Sequence, residues 1–149
     1  QPIAIMTIIF ALVLYFVDIN REESKKIINC SYSLMFFIGL MQALAIMPGV
    51  SRAGVVITAA LLVGFTRKDS IRISFLLSIP AIFMASTYQT VEFLGADEVI
   101  IIEDYILGFL LSFVFSYLTI RLFISTINKV TFSPYIIYRI VLGTILLII

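Results

Sequence analysis

Sixteen residues in a row, Pro2 to Val17, carry no charge, and comparable apolar stretches recur to the end of a 149-residue chain. Runs of that length dominate every other signal in the sequence. Only 13% of the residues are charged and 62% are hydrophobic, with a mean hydropathy of +1.16. A soluble domain is about a quarter charged. The expected class is therefore all-α: a polytopic membrane protein forming one membrane domain over residues 1–149.

The rest of the composition narrows the chemistry. A net charge of +1 points to no nucleic-acid partner. Cys30 is the sole cysteine, so the fold must rest on helix packing rather than an intrachain disulfide. With no histidine, the commonest general base near neutral pH is missing. Gln1 is not a translation start, and the run to Val17 has neither a basic leader nor a small-residue cleavage site. That pattern argues for a start inside a longer protein rather than a signal peptide.

Taken in order, Pro2–Val17 is the first expected span, roughly 24 Å of helix against a core of about 30 Å. A charged connection with Arg21, Glu22, Glu23, Lys25 and Lys26 follows. Tyr32–Met47 and Val55–Phe65 are apolar but short, roughly 24 and 17 Å. Gly39/Ala43 and Ala60/Gly64 within them have the four-residue spacing that lets membrane helices approach closely. Further spans are expected at Ile71–Leu94, Tyr105–Ile127 and Pro134–Ile149. In the first of these, Ser70, Ser74 and Ser78 share a helix face, where they either bond to a neighbouring helix or line a site. Pro80 is expected to kink that span. Arg139, one turn inside the last span, is expected to snorkel to the membrane surface, the alternative being a carboxylate partner in the bundle.

Loop charges decide how the two short segments are used. If Tyr32–Phe65 enters and leaves on one side, Arg21, Lys25, Lys26, Arg67, Lys68, Arg72 and Lys129 share that side. The acidic connection with Asp97, Glu98, Glu103 and Asp104 then lies opposite, as the positive-inside rule requires. A single broken crossing would reverse this. The architecture expected is four transmembrane helices plus one re-entrant helical hairpin, its tip inside the membrane and pointing outward.

The tip is Pro48-Gly49-Val50-Ser51-Arg52-Ala53-Gly54. Pro48 ends a helix and Gly49 permits backbone conformations closed to other residues. Ser51 is placed to cap the helix that follows, whose first amides carry the positive end of its dipole. Arg52 adds a permanent fork of donors. An arginine at the bilayer centre costs about 2.5–3.5 kcal/mol, so it should face a polar cavity. Amides, a hydroxyl and a guanidinium converging on one point describe an anion site, with phosphate the usual occupant. The plainer alternative is an ordinary interhelical turn with an ordinary cap.

The run Gln42-Ala43-Leu44-Ala45-Ile46-Met47-Pro48-Gly49-Val50-Ser51-Arg52-Ala53-Gly54 resembles the second signature of the BacA/UppP family of undecaprenyl-diphosphate phosphatases, Q-x-L-A-x-x-P-G-x-S-R-S-G-x-T-I. Gly64-Phe65-Thr66-Arg67, Ser74-Phe75-Leu76-Leu77-Ser78-Ile79-Pro80 and Tyr138-Arg139-Ile140-Val141-Leu142-Gly143 resemble, in order, three further family stretches. The resemblance implies one half of an inverted repeat, here the carboxyl-terminal half, acting on a polyprenyl diphosphate lipid at the outer face of the bacterial inner membrane. That activity serves peptidoglycan synthesis and bacitracin resistance.

Carried over to these positions, Ser51 and Arg52 belong to the active site, and Gln42, Pro48, Gly49, Ala53 and Gly54 to the substrate-binding wall. Arg52 would bind the diphosphate, while Ser51 would bond to phosphate or attack it. The resemblance also implies a divalent cation, Mg or Ca, with no ligand in this chain. The catalytic glutamates and histidine of the family's first signature have no counterpart here, and would lie on a missing amino-terminal half or a separate chain. Two residues depart from the pattern: Ala53 replaces a serine and Val56 a threonine, each expected to remove a hydroxyl from the tip. A polyprenyl-phosphate binding or transport protein without hydrolysis is the rival expectation, since hairpins meeting at the midplane are also a transporter architecture. The bland one is that these residues are inactive alone.

Overall fold

A computed structural model describes residues 2–20, 25–95, 102–126 and 131–148. They form six α-helices: α1 (Pro2–Ile19), α2 (Tyr32–Gln42), α3 (Arg52–Leu62), α4 (Arg67–Leu94), α5 (Ile102–Thr126) and α6 (Ser133–Ile148). Short 3₁₀ turns occupy Ile27–Asn29 and Ala43–Ile46. By length and apolarity α1, α4 and α5 can each cross a membrane. The fourth expected span, α6, is shorter at 16 residues. Of the residues that entered the charge count, Arg21, Asp97, Glu98 and Lys129 lie outside the described residues, while Glu103 and Asp104 fall in the first turn of α5.

Helix α3 is the centre of the bundle. Every residue from Gly54 to Leu61 is buried, which is the pattern of a helix surrounded on all sides. On one side Ile57 and Leu61 pack with Ala11 and Leu14 of α1, Ile71 of α4 and Ile136 of α6. On the other, Val56, Ala59 and Ala60 pack with Ile38 of α2 and Ile73 of α4. At 11 residues it is roughly 16 Å long, too short to cross a bilayer. It starts at Arg52, three residues before the apolar run expected to form it, because Ser51 caps it directly.

The hairpin returns to where it began. Lys25 N–H donates to Gly64 O at 2.9 Å, and Thr66 N–H donates to Lys25 O at 3.3 Å. Entry and exit of the α2–α3 unit are thus bonded backbone to backbone, and a single broken crossing is ruled out. Gly64 turns the chain there with φ +93°, a left-handed conformation that costs glycine little. Thr66 then caps α4, accepting from Asp69 N at 3.2 Å, so α4 begins at Arg67 rather than Ile71. At the same end, Arg67 Nε and Nη2 donate to the two carboxylate oxygens of Asp18 at 2.8 and 2.7 Å.

Two expectations are corrected. A Cβ added at Gly39 would meet nothing within 4 Å, so Gly39/Ala43 does not make the helix contact its spacing allowed, whereas Ala60 is buried against α2 and Gly64 serves the turn. The tight contact is instead between α1 and α6, where a Cβ on Gly143 would lie 2.6 Å from Ile8 Cγ1 and 3.2 Å from Ala4 O. Gly143→Ala should therefore wedge α1 from α6 and cost about 1–3 kcal/mol. The thermal midpoint in detergent should fall accordingly, with Gly39→Ala, which meets nothing and should not lower it, as the control. Second, Val56 is 1% exposed and sits in the α2–α3 core, so its missing hydroxyl is lost from the core and not from the tip.

Most of α4 beyond Ser78, and α5 from Tyr105 to Leu122, stays exposed. α5 joins the bundle near its end, through Phe123 and Ile124, Phe123 standing edge-on to Phe75 of α4.

Candidate functional site

The tip of the hairpin is held by side chains from both outer helices. Gly49 adopts φ +91°, and a Cβ there would overlap the Ile3 carbonyl oxygen of α1. The Gly49 carbonyl accepts from Arg139 Nη2 of α6 at 2.8 Å and, at 3.2 Å, shares the Thr7 Oγ1 proton of α1 with the Ile3 carbonyl at 2.7 Å. A non-helical turn among packed helices needs such partners for its backbone.

The Arg139 contact overturns the snorkelling expectation. Its side chain is 5% exposed, and its guanidinium bonds backbone at the tip with the Tyr135 ring 5.8 Å away. Snorkelling loses because a carbonyl and a ring face, both within reach of α6, satisfy the cation inside the bundle. Tyr135 and Arg139, four residues apart, occupy one face of α6.

Ser51 performs its expected capping role, its Oγ accepting from Gly54 N at 3.2 Å. The same oxygen accepts from the Tyr135 hydroxyl at 2.9 Å. Arg52, the first residue of α3, is exposed and lines a cavity of about 440 Å³ together with Gln42, Ser51, Ala53, Ser74 and Ser78. A second cavity of about 480 Å³ also has Gln42 and Arg52 in its wall. Gln42 Oε1 is buried and has no donor among the described residues. Pro48 is exposed at the turn, and Gly54 is buried beneath Ser51 and Arg139.

The structure therefore brings Gln42, Ser51, Arg52 and Ala53 to one wall, with Pro48, Gly49 and Gly54 shaping the turn behind it. The serines of α4 divide: Ser74 bonds Ala53 O of α3 at 3.4 Å, whereas Ser78 bonds Phe75 O of its own helix. Both line the cavity, whereas Ser70 is fully buried with its hydroxyl unpaired among the described residues. Tyr135, Thr7 and the Gly49 carbonyl as the partner of Arg139 were not anticipated. The only signal linking Tyr135 to Arg139 was their spacing of four on a helix opened by proline.

The electrostatics are one-sided. A guanidinium, the amino end of α3 and a hydroxyl meet at a cavity whose described lining has no carboxylate. Among the described residues Arg52 has no ion pair, and no three acidic or cysteine groups gather. Hard divalent cations take carboxylate and carbonyl oxygens, so these residues do not fit one. They fit an anion. Beyond the polar wall the cavity runs into an apolar groove of about 560 Å³ between α4 and α5, sharing Phe75, Ser78, Ile82 and Ile120 with it.

Fold and site together define an all-α, multi-pass membrane protein with a polar hairpin tip packed among its helices. The chain belongs to the family described as Bacitracin resistance protein BacA, which matches residues 1–145. Among curated relatives, the Undecaprenyl-diphosphatase of Chromohalobacter salexigens is 40% identical over 146 residues, covering 98% of this chain and 55% of the relative. That of Campylobacter curvus is 42% identical over 147 residues, covering 99% and 55%. That of Pelagibacter ubique is 44% identical over 149 residues, covering 99% and 57%. The chain thus spans about half the length of the curated relatives it matches.

Proposed function

We propose that these residues form the phosphate-binding half of an undecaprenyl-diphosphate phosphatase, the carboxyl-terminal repeat of an inverted pair. The observation that carries the reading is the junction of two environments: a cationic wall free of carboxylates among its described residues, opening directly onto an apolar groove. A lipid diphosphate has the same two parts. Its phosphates would accept from Arg52 and Ser51, and its prenyl chain would lie between α4 and α5. The names of the relatives support the same substrate.

In the proposed reaction water cleaves the anhydride P–O bond, releasing inorganic phosphate and leaving the prenyl monophosphate. Arg52 neutralises charge growing on the phosphoryl oxygens, the usual route to stabilising such a transition state. The proton-transfer groups, and the ligands of any divalent cation, are assigned to protein outside these residues. The setting proposed is the bacterial inner membrane. Its basic hairpin base, with Lys25, Arg67, Lys68 and Arg72, would face the cytoplasm and the tip would open toward the exterior.

Ala53 favours a second reading. It lines the cavity where the family pattern has a hydroxyl, so a protein that binds the lipid without turnover is the rival. Purified full-length protein given farnesyl diphosphate and undecaprenyl diphosphate separates the two. Phosphate release, with a lower KM for the longer chain, is the expected result. Binding of both lipids without release would establish the rival.

A further inference from the structure

Ser51 is surrounded by donors. A serine hydroxyl has two lone pairs and one proton to give. Gly54 N–H, which can only donate, occupies one lone pair at 3.2 Å. The Tyr135 hydroxyl occupies the other at 2.9 Å. The Arg139 guanidinium lies 5.8 Å from the centre of the Tyr135 ring. A cation over the ring face draws electron density from it and favours the phenol as donor. With both lone pairs filled, the one hydrogen-bonding capacity left to Ser51 is its own proton. The side on which it can be given is the cavity that Ser51 lines with Arg52 and Gln42.

We infer that Tyr135 is a positioning residue that orients the Ser51 proton toward a phosphate oxygen, and that Ser51 binds the phosphate rather than attacking it. The inference rests on the phosphate-binding reading of the tip and assigns roles within it. A serine nucleophile must surrender its proton to a base, and the groups bonded to this hydroxyl are donors. Tyr135 O–H to Ser51 O–H to phosphate instead forms a chain in which each bond strengthens the next. Tyr135 itself touches no substrate, so its effect must pass through Ser51.

The test compares Tyr135→Phe, Ser51→Ala, Ser51→Thr and the double variants in full-length protein. Turnover and equilibrium binding of farnesyl diphosphate are measured, with thermal midpoints to confirm folding. Tyr135→Phe keeps the ring and should raise KM and Kd about five- to tenfold, the loss of roughly one hydrogen bond, with kcat changed less than threefold. It should add nothing once Ser51 is alanine, and regain its effect when Ser51 is threonine.

Independent, multiplying effects of Tyr135→Phe and Ser51→Ala would overturn the inference, as would an unchanged Tyr135→Phe. So would a kcat loss of about 10⁴-fold or more in Ser51→Ala, or a phosphoserine at Ser51 detected by mass spectrometry. If the wild type binds farnesyl diphosphate without releasing phosphate and Tyr135→Phe weakens that binding, the inference stands while the hydrolytic reading falls. If the wild type does not bind, both fall.

Discussion

Arg52→Ala should lower kcat/KM for prenyl diphosphate hydrolysis about 10²–10³-fold in the full-length protein, the usual cost of losing one preorganised charge-stabilising donor. The fold should survive, because Arg52 is exposed and makes no ion pair among the described residues. A thermal midpoint within a degree or two of wild type, measured beside phosphate release, separates loss of chemistry from loss of structure. Arg52→Lys keeps the charge but not the planar fork, and should recover only part of the activity. Wild-type turnover in Arg52→Ala would remove Arg52 from the site.

The second large effect lies at the other end of the hairpin. Asp18 and Arg67 form a two-bond pair with side chains 6% and 19% exposed. The Arg67 guanidinium also stands 5.9 Å from the centre of the Phe132 ring. One pair therefore fastens the end of α1, the start of α4 and the entry to α6, beside the Lys25–Gly64 closure. Breaking a buried pair costs more than the pair is worth, because it strands the remaining charge. Asp18→Ala should cost about 3 kcal/mol, the low end of that range since Arg67 keeps some access to solvent. Exchanging both partners for apolar residues, as in Asp18→Leu with Arg67→Met, should restore much of the loss. Equal destabilisation in the single and double variants would mean the pair is not the source. Reversible unfolding in detergent reads both.

Local chemistry was legible in the sequence; long-range partnership was not. The hairpin could be inferred because two short apolar segments and the loop charges constrain each other, and the Lys25–Gly64 bond bears it out. The Ser51 cap follows from residue type and position alone. Arg139 failed because an arginine one turn inside a helix has the same local pattern whether it snorkels or is buried. Only the position of Gly49, 90 residues away in sequence, decides between them. Gly39/Ala43 failed similarly: small residues four apart permit close approach but do not name the helix that approaches. Val56 was assigned to the tip by its motif, whereas the rotation of α3 turns it toward Ile38 and the core. Tyr135 lay outside every motif and became visible only when α6 was seen to lean over the tip.

The central claim is that the hairpin tip holds the phosphates of a prenyl diphosphate. A structure of the full-length protein with a methylene-bridged, non-hydrolysable prenyl diphosphate tests it most directly. The expected result is phosphate oxygens within about 3.2 Å of Ser51 Oγ and the Arg52 guanidinium, with the prenyl chain between α4 and α5. Phosphates bound elsewhere, with no contact to Ser51 or Arg52, would contradict it.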